Sequence, residues 1–489
     1  MNHKELSSGT EASMASVLDA REQRYYIQQE LLAGLEKDCT ALISFTLNIA
    51  GPIKVFPYTI RTFEVGITQI RQILSSMGAV ITAEKEIREN TGYEGFFAIR
   101  QKPGAALECK RLCTGLEEQH PLGRLFDIDV LRSDGTKVSR QELGFPERTC
   151  LLCDRPAFLC GRSRTHSAAE LVAREIQIMR DFFVTCYAGH MGLLMQKALL
   201  YEVNTGLKPG LVDRFHNGAH KDMDYFDFLN SAQSLTPYFT KAARMGMEYA
   251  LDLEDPENLP LLFERLRPEG MEAEIVMRKA SGGANTHKGM IFSGGIFCCI
   301  FAYYQIRTSH LGKILPGTPY TQKDLAQIRP LLSALVRDLM KDYQDCRADR
   351  EMSCGERLYH EKGILGIRGE ALNGYPSLFD TGYPLFKKLL SLNYSWNDAG
   401  LIVLLHYMAS AEDTNLFKRA GYEKAIRIRK ELTDFLQHAS YEEQLAILPE
   451  LDAFFVRENI SPGGSADMLS LTYFLSFTEE KSCTWGEIL

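Results

Sequence analysis

Residues 167–204, SAAELVAREIQIMRDFFVTCYAGHMGLLMQKALLYEVN, hold a helical pattern with no proline, and the alternation typical of strands, present before them, does not return after them. No Pro- or Ser-rich linker marks the change, so the join between two folds lies inside a helical stretch. We place it between residues 182 and 183. The expectation is a multidomain chain: a mixed α+β domain over 1–182, then a larger all-α domain over 183–489.

Upstream, residues 13–37 read as an amphipathic helix with Val17, Leu18, Tyr25, Leu31, Leu32 and Leu35 on its apolar side. ALISFTLNI (41–49) reads as a strand, Gly51-Pro52 as a turn and 63–78 as a second helix. FFAIR (96–100) and GRLFDIDVL (123–131) supply further strands, the last followed by a turn at Ser133-Asp134-Gly135.

The bulk figures are those of a globular protein, with 489 residues, 45% hydrophobic and 24% charged. A net charge of -8 and a pI near 5.9 argue against nucleic-acid binding, so any phosphate site is a local basic pocket. The N-terminus has no apolar targeting core, and the longest apolar stretches, such as 290–304, are interrupted by Ser and Gly. No membrane association and a cytoplasmic location are expected, with the twelve cysteines as reduced thiols.

In GRLFDIDVL, Phe126, Ile128 and Val130 alternate with Asp127 and Asp129, which puts both carboxylates on one strand face. Such a pair can share Mg²⁺ for phosphoryl or nucleotidyl chemistry; a half-exposed edge strand is the plainer reading. Arg124, Arg140, Arg148, Arg162 and Arg164 lie nearby in sequence as phosphate-binding candidates or as ordinary surface charges. Cys150, Cys153, Cys160 and His166 are of types that suit zinc, but their spacing matches no common zinc module, and small buried thiols are the favoured expectation.

SFTLNIAGPIK (44–54), GRLFDIDV, SRQELGFPERTCLLC (139–153) and CGRSRTHSAAEL (160–171) together resemble the apo-citrate lyase phosphoribosyl-dephospho-CoA transferase family. The resemblance implies a nucleotidyltransferase-type domain that transfers a prosthetic group to a serine of the citrate lyase acyl-carrier subunit and releases diphosphate. It makes Asp127 and Asp129 catalytic metal ligands. Ala50 and Phe126 depart from the proline and tryptophan expected of the family, without removing a chemical group.

Four polar islands interrupt the helical half: KPGLVDRFHNGAHKDMD (208–224), SGGANTHKG (281–289), EDTN (412–415) and SPGGSAD (461–467). In the last, Ser461 is expected to cap a helix begun by Pro462, with Gly463 and Gly464 opening backbone N–H groups to an anion. SGGANTHKG is not a Walker A loop, because its Gly-to-Lys spacing is wrong and no strand precedes it. In this order the islands resemble the triphosphoribosyl-dephospho-CoA synthase family, from about residue 190 onward. That resemblance implies condensation of ATP with 3′-dephospho-CoA and loss of adenine. His216 stands where asparagine is expected and is set aside as a ligand.

Glycosyl transfer needs a base, a proton donor for the leaving group and an electrostatically matched cradle. Asp213, Asp222 and Asp413 are the catalytic candidates of this half, and Asp222, Asp224 and Asp467 the metal ligands. Lys208, His220, Lys221, Asn285, Thr286, His287, Lys288, Asn415, Ser461, Gly463, Gly464 and Ser465 are the nucleotide-binding candidates. The expected function is a bifunctional transferase using ATP, 3′-dephospho-CoA and Mg²⁺, with the acyl-carrier subunit as partner. A metal-dependent phosphohydrolase and a non-catalytic carrier-protein assembly factor are the alternatives.

Overall fold

The computed structural model describes residues 8–34, 40–101, 104–252, 255–308, 319–341, 352 and 354–480. They divide into two compact units, which join in sequence at Thr185 and Cys186.

In the first unit the order is α1 (Met14–Ala33), β1 (Thr40–Leu47), α2 (Pro57–Ser76), β2 (Val80–Glu89), β3 (Gly92–Arg100), α3 (Ala105–Gln119), β4 (Phe126–Arg132) and the short α4 (Ala157–Ser163). The strands form one antiparallel sheet in the order β2-β3-β1-β4. Even-numbered residues of β1 face α1: Leu42 joins Ile27, Leu32, Phe96, Ala98 and Leu131 in one buried cluster, and Gln28 Nε2 donates to Ser44 Oγ at 3.0 Å. On the other face Phe45 stacks on Phe63 of α2, centroids 5.2 Å apart, and meets Phe126 edge-on. The register sets Ser44 opposite Asp129 and Thr46 opposite Asp127. Opposed residues of an antiparallel pair share a face, so the two aspartates lie on the α1 side of an edge strand.

Several elements differ from expectation. The buried side of α1 is Ile27, Gln28 and Leu32, while Leu18 and Tyr25 are exposed; Leu35 and the expected end of this helix lie outside the described residues. Helix α2 starts earlier, at Pro57, because Phe56 N donates to Thr59 Oγ1 at 2.9 Å and proline is already set for the first turn. Strand β2 and helix α3 were not expected. The sequence of β2, VITAEKEIRE, is rich in charge because it is a mostly exposed edge strand, and charges on an edge discourage pairing with other chains.

Helix α5 (Ala168–Asn204) runs through the sequence join. The second unit continues with α6 (Tyr225–Leu251), α7 (Leu259–Ala280) and α8 (Lys288–Thr308), then shorter helices that include Gln322–Leu335, Cys354–Lys362, Ile367–Leu372 and Tyr383–Ser391. The helices of the site follow: α9 (Trp396–Ser410), α10 (Thr414–Ala420) and, last, α11 (Gly463–Glu479). No strand occurs among its described residues. Helix α8 is buried along nearly its whole length, and among the described residues it is the one helix long and apolar enough to cross a membrane. Its Ser-Gly-Gly stretch is a packing surface. Gly294 and Gly295 make room for Phe239 and Tyr238 of α6, and a Cβ on Gly246 would lie 2.0 Å from Cys299 O.

Candidate active sites

The four islands of the second unit line one cleft of about 1190 Å³. Its first wall is the loop between α5 and α6, which Asp213 holds in shape. One Asp213 oxygen accepts from Lys208 N at 2.9 Å, and the other from Phe215 N at 2.8 Å and His216 N at 3.2 Å. At Gly218 φ is +54° and a Cβ would lie 2.5 Å from Leu211 O, so the loop closes there only with glycine. Lys208 turns inward: its ammonium donates to Glu202 O at 2.9 Å and pairs with the Glu202 carboxylate, both side chains being buried.

The second wall comes from two helix N-termini joined by Asp413. Its Oδ1 accepts from Asn415 N (2.9 Å) and Leu416 N (3.1 Å) at the start of α10, and its Oδ2 from Ser465 N (2.8 Å) and Ser465 Oγ (3.1 Å) in the first turn of α11. Gly463 and Gly464 permit this, since Cβ atoms there would lie 2.8 Å from Asn415 Nδ2 and 3.0 Å from Asp413 Oδ1. The expected cap is corrected. Helix α11 begins at Gly463 with no side-chain cap bond, and Ser461 Oγ instead bonds His220 Nε2 at 2.8 Å. His220 Nδ1 accepts from Arg419 Nη2 at 3.1 Å, which leaves Nε2 to carry the proton toward Ser461. Burial and the Arg419 charge lower the His220 pKa to about 4, so the ring is neutral at pH 7.

The floor is the start of α8 facing α11. A Cβ on Gly289 would lie 1.8 Å from Asp467 Oδ2, so the carboxylate rests directly on that glycine. Asp467 accepts no hydrogen bond among the described residues, and burial together with the Asp413 and Glu202 carboxylates holds its pKa well above the usual range. His287 bonds Ser231 Oγ through Nδ1 at 2.6 Å, and Thr286 Oγ1 donates to the same hydroxyl at 2.7 Å. The His287 Nε2 is buried with no partner among the described residues; burial and then Lys208 lower this imidazole to about 3. Lys288 pairs with Glu274 at 3.0 Å.

Of the candidates in this half, Lys208, His220, Asp222, Asn285, Thr286, His287, Lys288, Asp413, Asn415, Ser461, Gly463, Gly464 and Asp467 line the cleft. The remaining four stand outside that lining. Asp213 is consumed by the loop, Ser465 is buried against Asp413, and Lys221 is exposed. Asp224 caps α6 by accepting from Asp227 N at 3.1 Å. Asp222 is at the exposed rim, 3.7 Å from His220. Glu412 of the EDTN island also lines the cleft, and lining residues not foreseen include Glu202, Glu370, Lys418 and Arg419. The expected metal trio of Asp222, Asp224 and Asp467 is not gathered. Asp467 lacks a hydrogen-bond partner among the described residues, and burial with the nearby Asp413 and Glu202 carboxylates disfavours its ionised form, a cost that a bound divalent cation would offset.

In the first unit, Asp129 is salt-bridged to Lys137 at 2.5 Å, and Asp127 is raised by desolvation and then by Asp129. Beneath them the buried Glu117 accepts from Ile128 N at 3.0 Å, Arg140 at 2.9 Å and Arg148 at 2.6 Å. Arg148 also donates to Phe126 O at 2.8 Å, and Arg124 to Thr149 O at 2.5 Å. Arg162 lies over the Phe158 ring, and Arg164 is exposed at φ +46°. Against the expectation of ordinary buried thiols, Cys150, Cys153, Cys160 and His166 converge, with ligand atoms all within 4.8 Å of one another.

Two family models match the chain: apo-citrate lyase phosphoribosyl-dephospho-CoA transferase over residues 12–182 and ATP:dephospho-CoA triphosphoribosyl transferase over 188–485. Protein CitXG of Haemophilus influenzae is 33% identical over 96% of this chain and 97% of its own length, and Protein CitXG of Leuconostoc mesenteroides subsp. cremoris is 34% identical over the same shares. A probable 2-(5''-triphosphoribosyl)-3'-dephosphocoenzyme-A synthase of Streptococcus pyogenes serotype M49 is 36% identical over 59% of this chain and 96% of its own. With both family models matched in this order and full-length relatives of the same make-up, the chain belongs to the CitXG family, transferases of citrate lyase prosthetic-group biosynthesis.

Proposed function

We propose that the two units catalyse successive steps. The second condenses ATP with 3′-dephospho-CoA: the ribose 2′-hydroxyl oxygen bonds to C1 of the ATP ribose as the bond from C1 to adenine breaks, the hydroxyl proton is balanced by protonation of the departing adenine nitrogen, and the triphosphate-bearing ribose stays on dephospho-CoA. The first unit then passes the product to a serine hydroxyl of the citrate lyase acyl-carrier subunit and releases diphosphate.

The convergence of four islands from distant parts of the chain on one cleft carries the reading. Cations at Lys288, Lys418 and Arg419 suit a triphosphate, while Phe228, Phe263 and Leu266 offer apolar wall to adenine or to the pantetheine arm. Asp467 accepts no hydrogen bond among the described residues and sits on the cleft floor, so it is well placed to exchange a proton with substrate or to hold Mg²⁺. Bound there, the cation would supply neutralisation of phosphate charge. Neutral His220 and His287 orient polar substrate groups and do not add charge. In the first unit Asp127 and Asp129 would hold Mg²⁺, with Arg148 beside them as a hydrogen-bond donor to phosphate oxygens.

Intact-mass analysis of the acyl-carrier subunit after incubation with the protein, ATP, Mg²⁺ and 3′-dephospho-CoA tests the proposal. Addition of the phosphoribosyl-dephospho-CoA mass, with adenine released only when dephospho-CoA is present, is the expected result. Adenine-free hydrolysis of ATP with an unmodified carrier would overturn it in favour of a phosphohydrolase.

A further inference from the structure

Between Val138 and Glu175 the first unit runs through a stretch in which Cys160 is the only buried residue. Leu152, Phe158 and Leu159 are all more than a third exposed. A segment with so little apolar burial lacks the usual source of stability and needs a staple. The staple is visible in its side chains. We propose that Cys150, Cys153, Cys160 and His166 bind one structural zinc ion.

Local backbone delivers each ligand. Cys150 N donates to Arg155 O at 2.7 Å and Ala157 N to Arg148 O at 2.8 Å, while Thr149 bridges Pro156. These bonds make a tight hairpin that carries Cys150 and Cys153 at its tip, the C-x₂-C knuckle that many zinc sites use. Cys160 follows on α4. Arg164, at φ +46°, then reverses the chain, and Thr165 N closes the turn on Cys160 O at 3.2 Å, returning His166 to the knuckle.

The distances suit the ion. Zn–S bonds near 2.3 Å and Zn–N bonds near 2.0–2.1 Å in a tetrahedron place ligand atoms about 3.6–3.8 Å apart. Here Cys153 Sγ is 3.5 Å from Cys160 Sγ and 3.4 Å from His166 Nε2, and all four ligand atoms lie within 4.8 Å of one another. A disulfide needs sulfurs near 2.05 Å and would leave Cys150 and His166 unused. Three thiolates and one imidazole are soft-to-borderline donors, which select zinc over the magnesium expected at the aspartates. Four protein ligands fill the tetrahedron, so the ion holds structure and leaves no open position for a substrate.

The site would have a positioning consequence. The knuckle's first strand contains Arg148, which reaches Glu117 and Phe126 O, and Thr149, whose carbonyl receives Arg124. Fixing the loop therefore fixes the guanidinium beside Asp127. This inference is independent of the substrates proposed above.

The test uses the full chain, purified under reducing conditions. Elemental analysis is expected to give one zinc per chain, or a reduced metal-free sample to take up one equivalent on titration with Zn²⁺ alone. Cobalt reconstitution should give the visible bands of a tetrahedral thiolate site. Cys153→Ser should lose both signals and expose residues 139–174 to limited proteolysis, a change also produced in the unmutated protein by a chelator. Failure of the reduced protein to take up zinc or cobalt would overturn the proposal, as would a native Cys153–Cys160 disulfide found by mass spectrometry.

Discussion

Asp413 offers the sharpest separation of architecture from chemistry. Its four acceptor contacts join α10 to α11, and both oxygens are filled. In Asp413→Asn one oxygen keeps the cap on Asn415 and Leu416, but an NH₂ group replaces the oxygen that Ser465 N addresses. That buried N–H then faces a donor, which costs about 1–3 kcal/mol, and a second charge-assisted bond from the Ser465 hydroxyl is weakened. Relief from burying a carboxylate, whose pKa burial already raises, offsets part of this. The net loss is about 2–3 kcal/mol, roughly 5 °C in Tm for a unit of this size. Asp413→Ala, which also loses the α10 cap, should cost about 1 kcal/mol more. Thermal unfolding followed by helical circular dichroism measures this, and adenine release measured where the variant stays folded measures the chemistry. A positioning role predicts that kcat falls by less than about tenfold. Unchanged stability with a thousandfold loss of kcat, the scale of a missing general base, would refute the reasoning.

Gly289→Ala should raise intrinsic helix propensity by about 1 kcal/mol yet displace the Asp467 carboxylate, so adenine release is expected to drop about a hundredfold while Tm does not fall. His287, held at about 3 in the folded chain against 6.5 unfolded, binds fewer protons when folded; stability is full above pH 6.5 and declines as pH falls toward 3. Between pH 6.5 and 5 the His287 share of that loss is about 2 kcal/mol, and His287→Gln should shrink the shift of the urea midpoint by that amount, leaving the share of His220, which is lowered to about 4. Asp127→Asn with Asp129→Asn should abolish the mass increase of the carrier subunit while adenine release continues; loss of both would mean that the chemistry is not divided between the units as proposed.

The islands were legible because glycine and proline interrupt otherwise regular helical spacing, and the two aspartates because strand alternation sets their face. The roles within the islands were less so. Asp213, Asp224 and Asp413 carry the same functional group as Asp467, yet the first three are filled by backbone N–H groups, a distinction made by three-dimensional neighbours and not by residue type. Arg419 and Glu202 went unread because a charge in a helix looks like a solvated face until its partner is known, His220 some two hundred residues away for Arg419 and Lys208 in the following loop for Glu202. Strand β2 was lost for a related reason, its edge charges resembling those of a helix. The cysteines are the opposite case, in which an unfamiliar spacing concealed a compact arrangement.

His220 joins three separate chain segments: its own loop, Ser461 ahead of α11, and Arg419 on α10, which also holds Ala219 O and Asn459 Oδ1. Because one neutral ring closes this circuit, breaking any contact costs the others their geometry. The walls are therefore expected to open as one cooperative unit, with backbone amides around Ala219, Leu416 and Ser465 exchanging with solvent deuterium at a common rate. His220→Ala should split that shared rate into separate faster ones, so the imidazole's contribution would be to make admission to the cleft an all-or-none event.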